Sequence, residues 1–219
     1  MRYVENDKYT IAWFKLAECV AKGEKEKAFG VYRLLMHSLE DQAYAYQLEG
    51  DLLEAFQDER SIEKYSYAAQ LYHKENRYKE AAALYEELIF ADQKNLRFIT
   101  ILIDIYKNNK PSSIWCAKFK KIFETLNQKR MPKHQLILLE PLKEHLSVEE
   151  IADYYLQIII LFIKEQPENE LEILPLLKEA VHFFSKADVP LSLQKLRATL
   201  REIDKKWYQK LEELCRDYN

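Results

Sequence analysis

The sequence predicts an all-α protein built as a stack of antiparallel helical hairpins, and three observations predict it. Glycine is scarce, apolar residues recur at intervals of three and four, and the connections between those periodic segments are short. Only three Gly and six Pro stand among 219 residues, where average usage of roughly 7% and 5% gives about fifteen and eleven. The tight turns of a β-sandwich want Gly, Asn-Gly or Asp-Gly, so that architecture is disfavoured. Gly23, Gly30 and Gly50 are isolated from one another, so no phosphate-cradling loop, dinucleotide fingerprint or nucleophile elbow can be assembled from them. The chain is 48% apolar and 32% charged, with fifteen Tyr, and is long enough for one or two domains with a substantial core.

Taken in order, the helical period predicts helices at about 9–22, 25–38, 42–57, 60–74, 77–90 and 95–108. The short charged turns between them force neighbours to run antiparallel. Asn95 before Leu96 and Pro111-Ser112-Ser113 before Ile114 supply helix-start signals. Beyond Pro111 the predicted helices are 111–127, 133–146 interrupted by Pro141, 148–165, 170–186 and a single long amphipathic helix over 190–217. Ser147-Val148-Glu149-Glu150 reads as a capping box opening the third of these. Ile151 to Ile163 is apolar nearly all round, which places that helix at the centre of a C-terminal core. In the last helix Leu193, Leu196, Leu200, Ile203, Trp207, Leu211 and Leu214 are spaced 3, 4, 3, 4, 4 and 3. Such a stripe either covers the end of the stack or pairs with a second copy. The change of pattern divides the chain into 1–110 and a divergent helical region, 111–219.

Sliding the chain by 33 residues matches Trp13 with Tyr46, Ala17 with Gly50, Val20 with Leu53, Ala28 with Ser61 and Tyr32 with Tyr65. A large aromatic, a small residue four later and an aliphatic three later describe one packing face of a helix. A single hairpin cannot bury both its faces, so such units stack. The stretch Ala68-Ala69-Gln70-Leu71-Tyr72, followed by Arg77-Tyr78-Lys79-Glu80-Ala81-Ala82-Ala83-Leu84-Tyr85-Glu86-Glu87-Leu88, resembles one tetratricopeptide (TPR) repeat. Ile99, Leu102, Ile103 and Tyr106 resemble the first helix of the next. The likeness is best over 62–95 and partial over 9–108, and helix 60–74 fits both as the second helix of one unit and as the first of the following one.

That resemblance implies a right-handed α-solenoid that binds a partner peptide or helix along a concave face lined by the first helix of each hairpin. Carried over by position, the partner-binding residues are Tyr67, Gln70, His73 and Lys74, then Arg97, Thr100, Asp104, Lys107 and Asn108. The two-carboxylate clamp known in the family is not reproduced, because Ser66 and Gln70 occupy its lysine and asparagine positions.

Charge is unevenly spread although the formal net is only −3. Residues 38–63 hold eight acids and one base, and residues 105–135 hold eight bases and one acid. The basic face Lys118, Lys120, Lys121, Lys129, Arg130 and Lys133 interleaves with Trp115, Phe119 and Phe123, as nucleic-acid surfaces can. Helical spacing favours the plainer reading, in which Trp115, Phe119, Ile122 and Phe123 form a core stripe with the lysines opposite. Nucleic acid is therefore the alternative function. Self-association of the acidic 38–63 segment with the basic 105–135 segment is a further option.

Catalysis finds no support. His37, His73, His134, His145 and His182 show no metal-ligand spacing, and Glu179 with His182 is the one Glu-x-x-His where a bundle metal site needs two such pairs and further carboxylates. No cofactor or metal is expected. Cys19, Cys116 and Cys215 are read as three buried thiols in a reducing, cytoplasmic setting. No signal core precedes residue 9, and the apolar run Ile158 to Ile163 is too short to span a bilayer. The sequence thus predicts a non-enzymatic interaction scaffold or adaptor.

Overall fold

The computed structural model of the chain describes residues 3–37, 39–187 and 189–217, and their side chains from Thr10 to Arg216. It is all-helical, with no strand among the described residues. The helices are α1 (Tyr3–Ala21), α2 (Lys25–Met36), α3 (Gln42–Ala55), α4 (Ser61–Lys74), α5 (Tyr78–Ala91), α6 (Arg97–Asn109), α7 (Ser112–Gln128), α8 (Pro132–Leu142), α9 (Val148–Glu165), α10 (Glu170–Lys186), α11 (Pro190–Ile203) and α12 (Lys205–Asp217). The first helix begins six residues before the expected start, and position 38, the expected end of the second, lies outside the described residues. Two compact units are formed, residues 1–105 and 106–219. Among the described residues no helix is long and apolar enough to cross a membrane.

Scarce glycine does not prevent tight turns, because other residues take the left-handed conformation that ends a helix. Gly23, Gln57, Asn76 and Arg130 have φ of 70°, 55°, 61° and 57°, immediately beyond α1, α3, α4 and α7. At each, two backbone bonds close the helix end: Gln57 N–H to the Glu54 carbonyl at 2.8 Å and Asp58 N–H to the Leu53 carbonyl at 2.9 Å are one such pair. This is the Schellman arrangement, which satisfies carbonyls the helix leaves orphaned. A non-glycine residue held there costs about 1–2 kcal/mol.

In the first unit α1 packs on α2, α3 on α4 and α4 on α5. Small residues let the helices approach: Gly50, Ala43 and Ala45 of α3 and Ala68 and Ala69 of α4 are buried. Buried tyrosines of the even helices then end on α3. The Tyr32 hydroxyl donates to the Ala45 carbonyl at 3.0 Å, and the Tyr72 hydroxyl to Gln47 Oε1 at 2.8 Å. A buried Tyr usually needs such a partner, so part of the tyrosine richness is structural. The Arg77 guanidinium lies 4.2 Å from the Tyr72 ring centre and pairs with Asp41 at 2.7 Å, joining the α4–α5 turn to the start of α3.

In the second unit α9 is the central helix, with nine buried residues including Ile158, Ile159 and Phe162. Burying a side chain of this size contributes about 1.5–3 kcal/mol. Its start is the expected capping box, Ser147 with Glu150. Trp115, Phe119, Ile122 and Phe123 are buried along one side of α7. Pro141 lies inside α8, and a single 3₁₀ turn at Lys143–His145 follows.

The long terminal helix expected over 190–217 is two helices. Asp204 is extended (φ −158°, ψ 110°) and its carboxylate accepts from the N–H groups of Lys206 at 2.9 Å and Trp207 at 3.1 Å, which stops α11 and caps α12. The chain folds back there, and the α11–α12 pair packs on α9 and α10. Leu196, Leu200, Trp207 and Leu211 are fully buried as a result, while Ile203, beside the break, is 37% exposed. The Trp207 indole N–H donates to the Pro167 carbonyl at 2.9 Å. Cys19 and Cys215 are buried as expected, but Cys116 is only half-buried, because it stands off the Trp115–Phe119–Phe123 stripe of α7.

Candidate functional site

The residues expected to meet a partner fall on α4 and α6. Tyr67 is 44% exposed, and its ring lies 5.6 Å from that of Tyr46 of α3. Gln70 donates to Ser66 Oγ at 3.2 Å, and the half-buried His73 packs edge-on against Tyr78 at 5.8 Å. Lys74 is exposed. On α6, Arg97, Thr100 and Asp104 are exposed within the first unit, and Lys107 and Asn108 are exposed within the second. The Thr100 hydroxyl donates back to the Leu96 carbonyl at 3.2 Å. The nine residues therefore do not belong to one unit.

Of these nine, Tyr67 alone lines a cleft of about 570 Å³ between the N-terminal half of α4 and the turn that starts α6. Ile62, Tyr67 and Phe98 supply its apolar surface, and Glu59, Glu63 and Asp92 its charged rim. The one cation there, Arg60, is held by Asp58, with Nη2 to Oδ2 at 2.6 Å. Sequence reasoning missed the other lining residues because it took the C-terminal half of the helix. The signal was present, since Glu63, Arg60 and Glu59 precede Tyr67 by four, seven and eight and so share its face.

A second, more apolar groove of about 380 Å³ runs between α1 and α3. Trp13, Ala17, Val20 and Ala21 line it from α1, and Leu48, Leu52 and Ala55 from α3, with Asp51 at its edge. Beside it the Tyr65 hydroxyl lies 2.9 Å from Asp51 Oδ1 and 2.7 Å from Glu54 Oε2. One phenolic hydrogen serves two carboxyl groups. Burial, with the Glu54 charge adding to it, pushes the Asp51 carboxyl up against the opposing Tyr65 hydrogen bond. Burial pushes Glu87 of α5 up as well, helped by the charges of Glu54 and Asp51. Among the described residues none of these three carboxylates takes part in an ion pair, whereas Asp41, Glu49 and Asp58 of the same acidic segment pair with Arg77, Lys64 and Lys25.

The basic segment is largely answered within its own unit. Lys120 pairs with Glu150 at 2.6 Å, Arg130 with Glu165 at 3.2 Å and Lys133 with Glu172 at 2.5 Å. Lys121 is exposed and Lys118 half-buried, and Lys118 and Lys129 also have interactions within the chain. Glu179 does not face a ligand set with His182. It accepts from the Tyr155 hydroxyl at 2.5 Å and pairs with Lys143 at 2.8 Å, and among the described residues no group of three or more His, Cys, Asp or Glu is placed to hold a metal.

Comparison of the chain with protein-family models and with curated proteins returns no match in either case.

Proposed function

We propose that this chain is a non-enzymatic scaffold or adaptor of the cytoplasm, a TPR-like right-handed stack of antiparallel helical hairpins that binds a peptide or helix of another protein. The observation that carries this reading is the cleft beside Tyr67. A rigid aromatic side chain is left 44% exposed over an apolar floor with a charged rim, between helices already packed against their neighbours. Tyr at such a position offers large contact area at low cost in lost side-chain freedom, and a preformed cleft lowers the ordering cost of binding. The lack of clustered nucleophiles, bases or metal-ligating groups in the sequence agrees with a role in binding. Binding of nucleic acid by the 105–135 face has weaker support, because Lys120, Arg130 and Lys133 are engaged by carboxylates of α9 and α10 and a phosphate backbone would have to displace them.

The test is a photo-cross-linking side chain in place of Tyr67, with one in place of the exposed Lys178 of α10 as control. The proposal expects a defined protein adduct from position 67 in cells and none from position 178. Equal, diffuse labelling from both, or adducts to nucleic acid, would contradict it.

A further inference from the structure

The groove between α1 and α3 is separate from the Tyr67 cleft, and its floor is the edge of the first unit's core, where Leu16, Leu48 and Leu52 are buried. Its walls are apolar, and the small side chains Ala17, Ala21 and Ala55 that leave it open are themselves exposed. Phe14, on the same helix, is 73% exposed. At its edge stands Asp51, which shares the Tyr65 phenolic hydrogen with Glu54, and Glu87 of α5 lies near enough to both for their charges to act on it; among the described residues none of the three meets a cation. Like charges crowded at one site raise the free energy of the empty surface, and an incoming cation would relieve that repulsion. Among the described residues the neighbouring acids Asp41, Glu49 and Asp58 each pair with a base of the first unit, and none of Asp51, Glu54 and Glu87 does.

We infer that the α1/α3 groove and the Asp51–Glu54–Glu87 carboxylates form a second docking surface, for a partner segment carrying a Lys or Arg next to an aliphatic side chain. The aliphatic group enters between Trp13, Val20 and Leu48. The cation reaches the carboxylates at the edge of the groove, and its charged hydrogen bonds relieve the crowding of Asp51 and Glu54 around one phenol with Glu87 near by. The surface is independent of the Tyr67 cleft, so either can fail without the other.

The probe is a short fluorescein-labelled helix of Leu, Ala and Lys, compared by anisotropy with a twin bearing Glu for Lys and a twin bearing Ala for Leu. The Leu/Lys helix is expected to bind at least about tenfold more tightly than either twin, since both the charged and the apolar contacts contribute. Glu87→Gln, a change at an exposed side chain, and Ala21→Arg, which sets a cation in the groove, are each expected to weaken that binding by about tenfold. Glu144→Gln, at an exposed acid of the second unit, is expected to leave it unchanged. Circular dichroism and melting of each variant confirm that the fold is retained. Equal binding of the Lys and Glu helices, or undiminished binding by both Glu87→Gln and Ala21→Arg, overturns the inference. So does a dimer of the unliganded protein in light scattering that Ala21→Arg dissolves, because a second copy would then be the occupant.

Discussion

Gly50 and Gly30 both lie within helices, yet they do opposite things. A Cβ on Gly50 would stand 2.6 Å from two carbons of the Tyr65 ring, whereas a Cβ on Gly30 would meet nothing within 4 Å. Tyr65 cannot easily yield, since it is 5% exposed and its hydroxyl is tied to Asp51 and Glu54. Gly50→Ala is therefore expected to destabilise the protein by about 1–3 kcal/mol through overpacking. Gly30→Ala is expected to stabilise it by about 0.5–1 kcal/mol, because an unstrained helical position loses glycine's excess freedom in the unfolded chain. Urea unfolding of the two variants checks both signs. The Gly50 packing role was legible from its match with Ala17 under the 33-residue shift, while Gly30 had no visible reason in the sequence and has none in the structure.

At the scale of elements, Asp204 decides the shape of the chain's end. The leucine spacing of 193–214 is the same whether one helix continues or two meet at a one-residue break, so periodicity could not reveal the fold-back. The legible signal was the residue type, since Asp is a preferred N-cap. Asp204→Ala removes the acceptor for the Lys206 and Trp207 N–H groups and is expected to cost about 0.5–2 kcal/mol, read as a lower urea midpoint with an unchanged slope. Helix ends were harder to place for a related reason. Gln57 and Arg130 hold left-handed positions where glycine is the usual marker, so the turn chemistry was invisible in composition. Helix type was plain throughout, because the apolar period of α5, α7 and α9 is set by which faces are buried.

For the whole molecule, opposing groups of carboxylates set the response to pH. Glu170 of α10 accepts hydrogen bonds from Lys206 and Lys210 of α12, which bring its carboxyl down to about 2. A lowered carboxyl stabilises the folded state above its unfolded value and loses that effect as pH falls through the folded one. The parent is expected to be more stable than Glu170→Gln at pH 7, with the difference fading between pH 4.5 and about 2. Glu87 is the reverse case, raised by burial and by the nearby Glu54 and Asp51 charges. A raised carboxyl favours folding only while protonated, and that contribution disappears as pH rises. Glu87→Gln is expected to be more stable than the parent at pH 7 and equal to it below pH 4.5. Thermal melts across this range distinguish the two.

The candidate surfaces were less legible than the fold. Family position pointed to α4, but only Tyr67 among the chosen residues reaches the cleft, because the turn before α6 sits against the N-terminal half of that helix. The carboxylate cluster was within reach of the same 33-residue shift, which places Ala21, Glu54 and Glu87 in register. What no one-dimensional pattern could tell was which acids meet a base: Asp41 finds Arg77, 36 residues away, and among the described residues Asp51 finds none.

The central claim, that a partner segment is held between helices of the first unit, is tested most directly by hydrogen exchange with the partner cross-linked through position 67. The account predicts slowed exchange in the N-terminal half of α4 and at the start of α6. Protection confined to residues 106–219, or none at all, would contradict it.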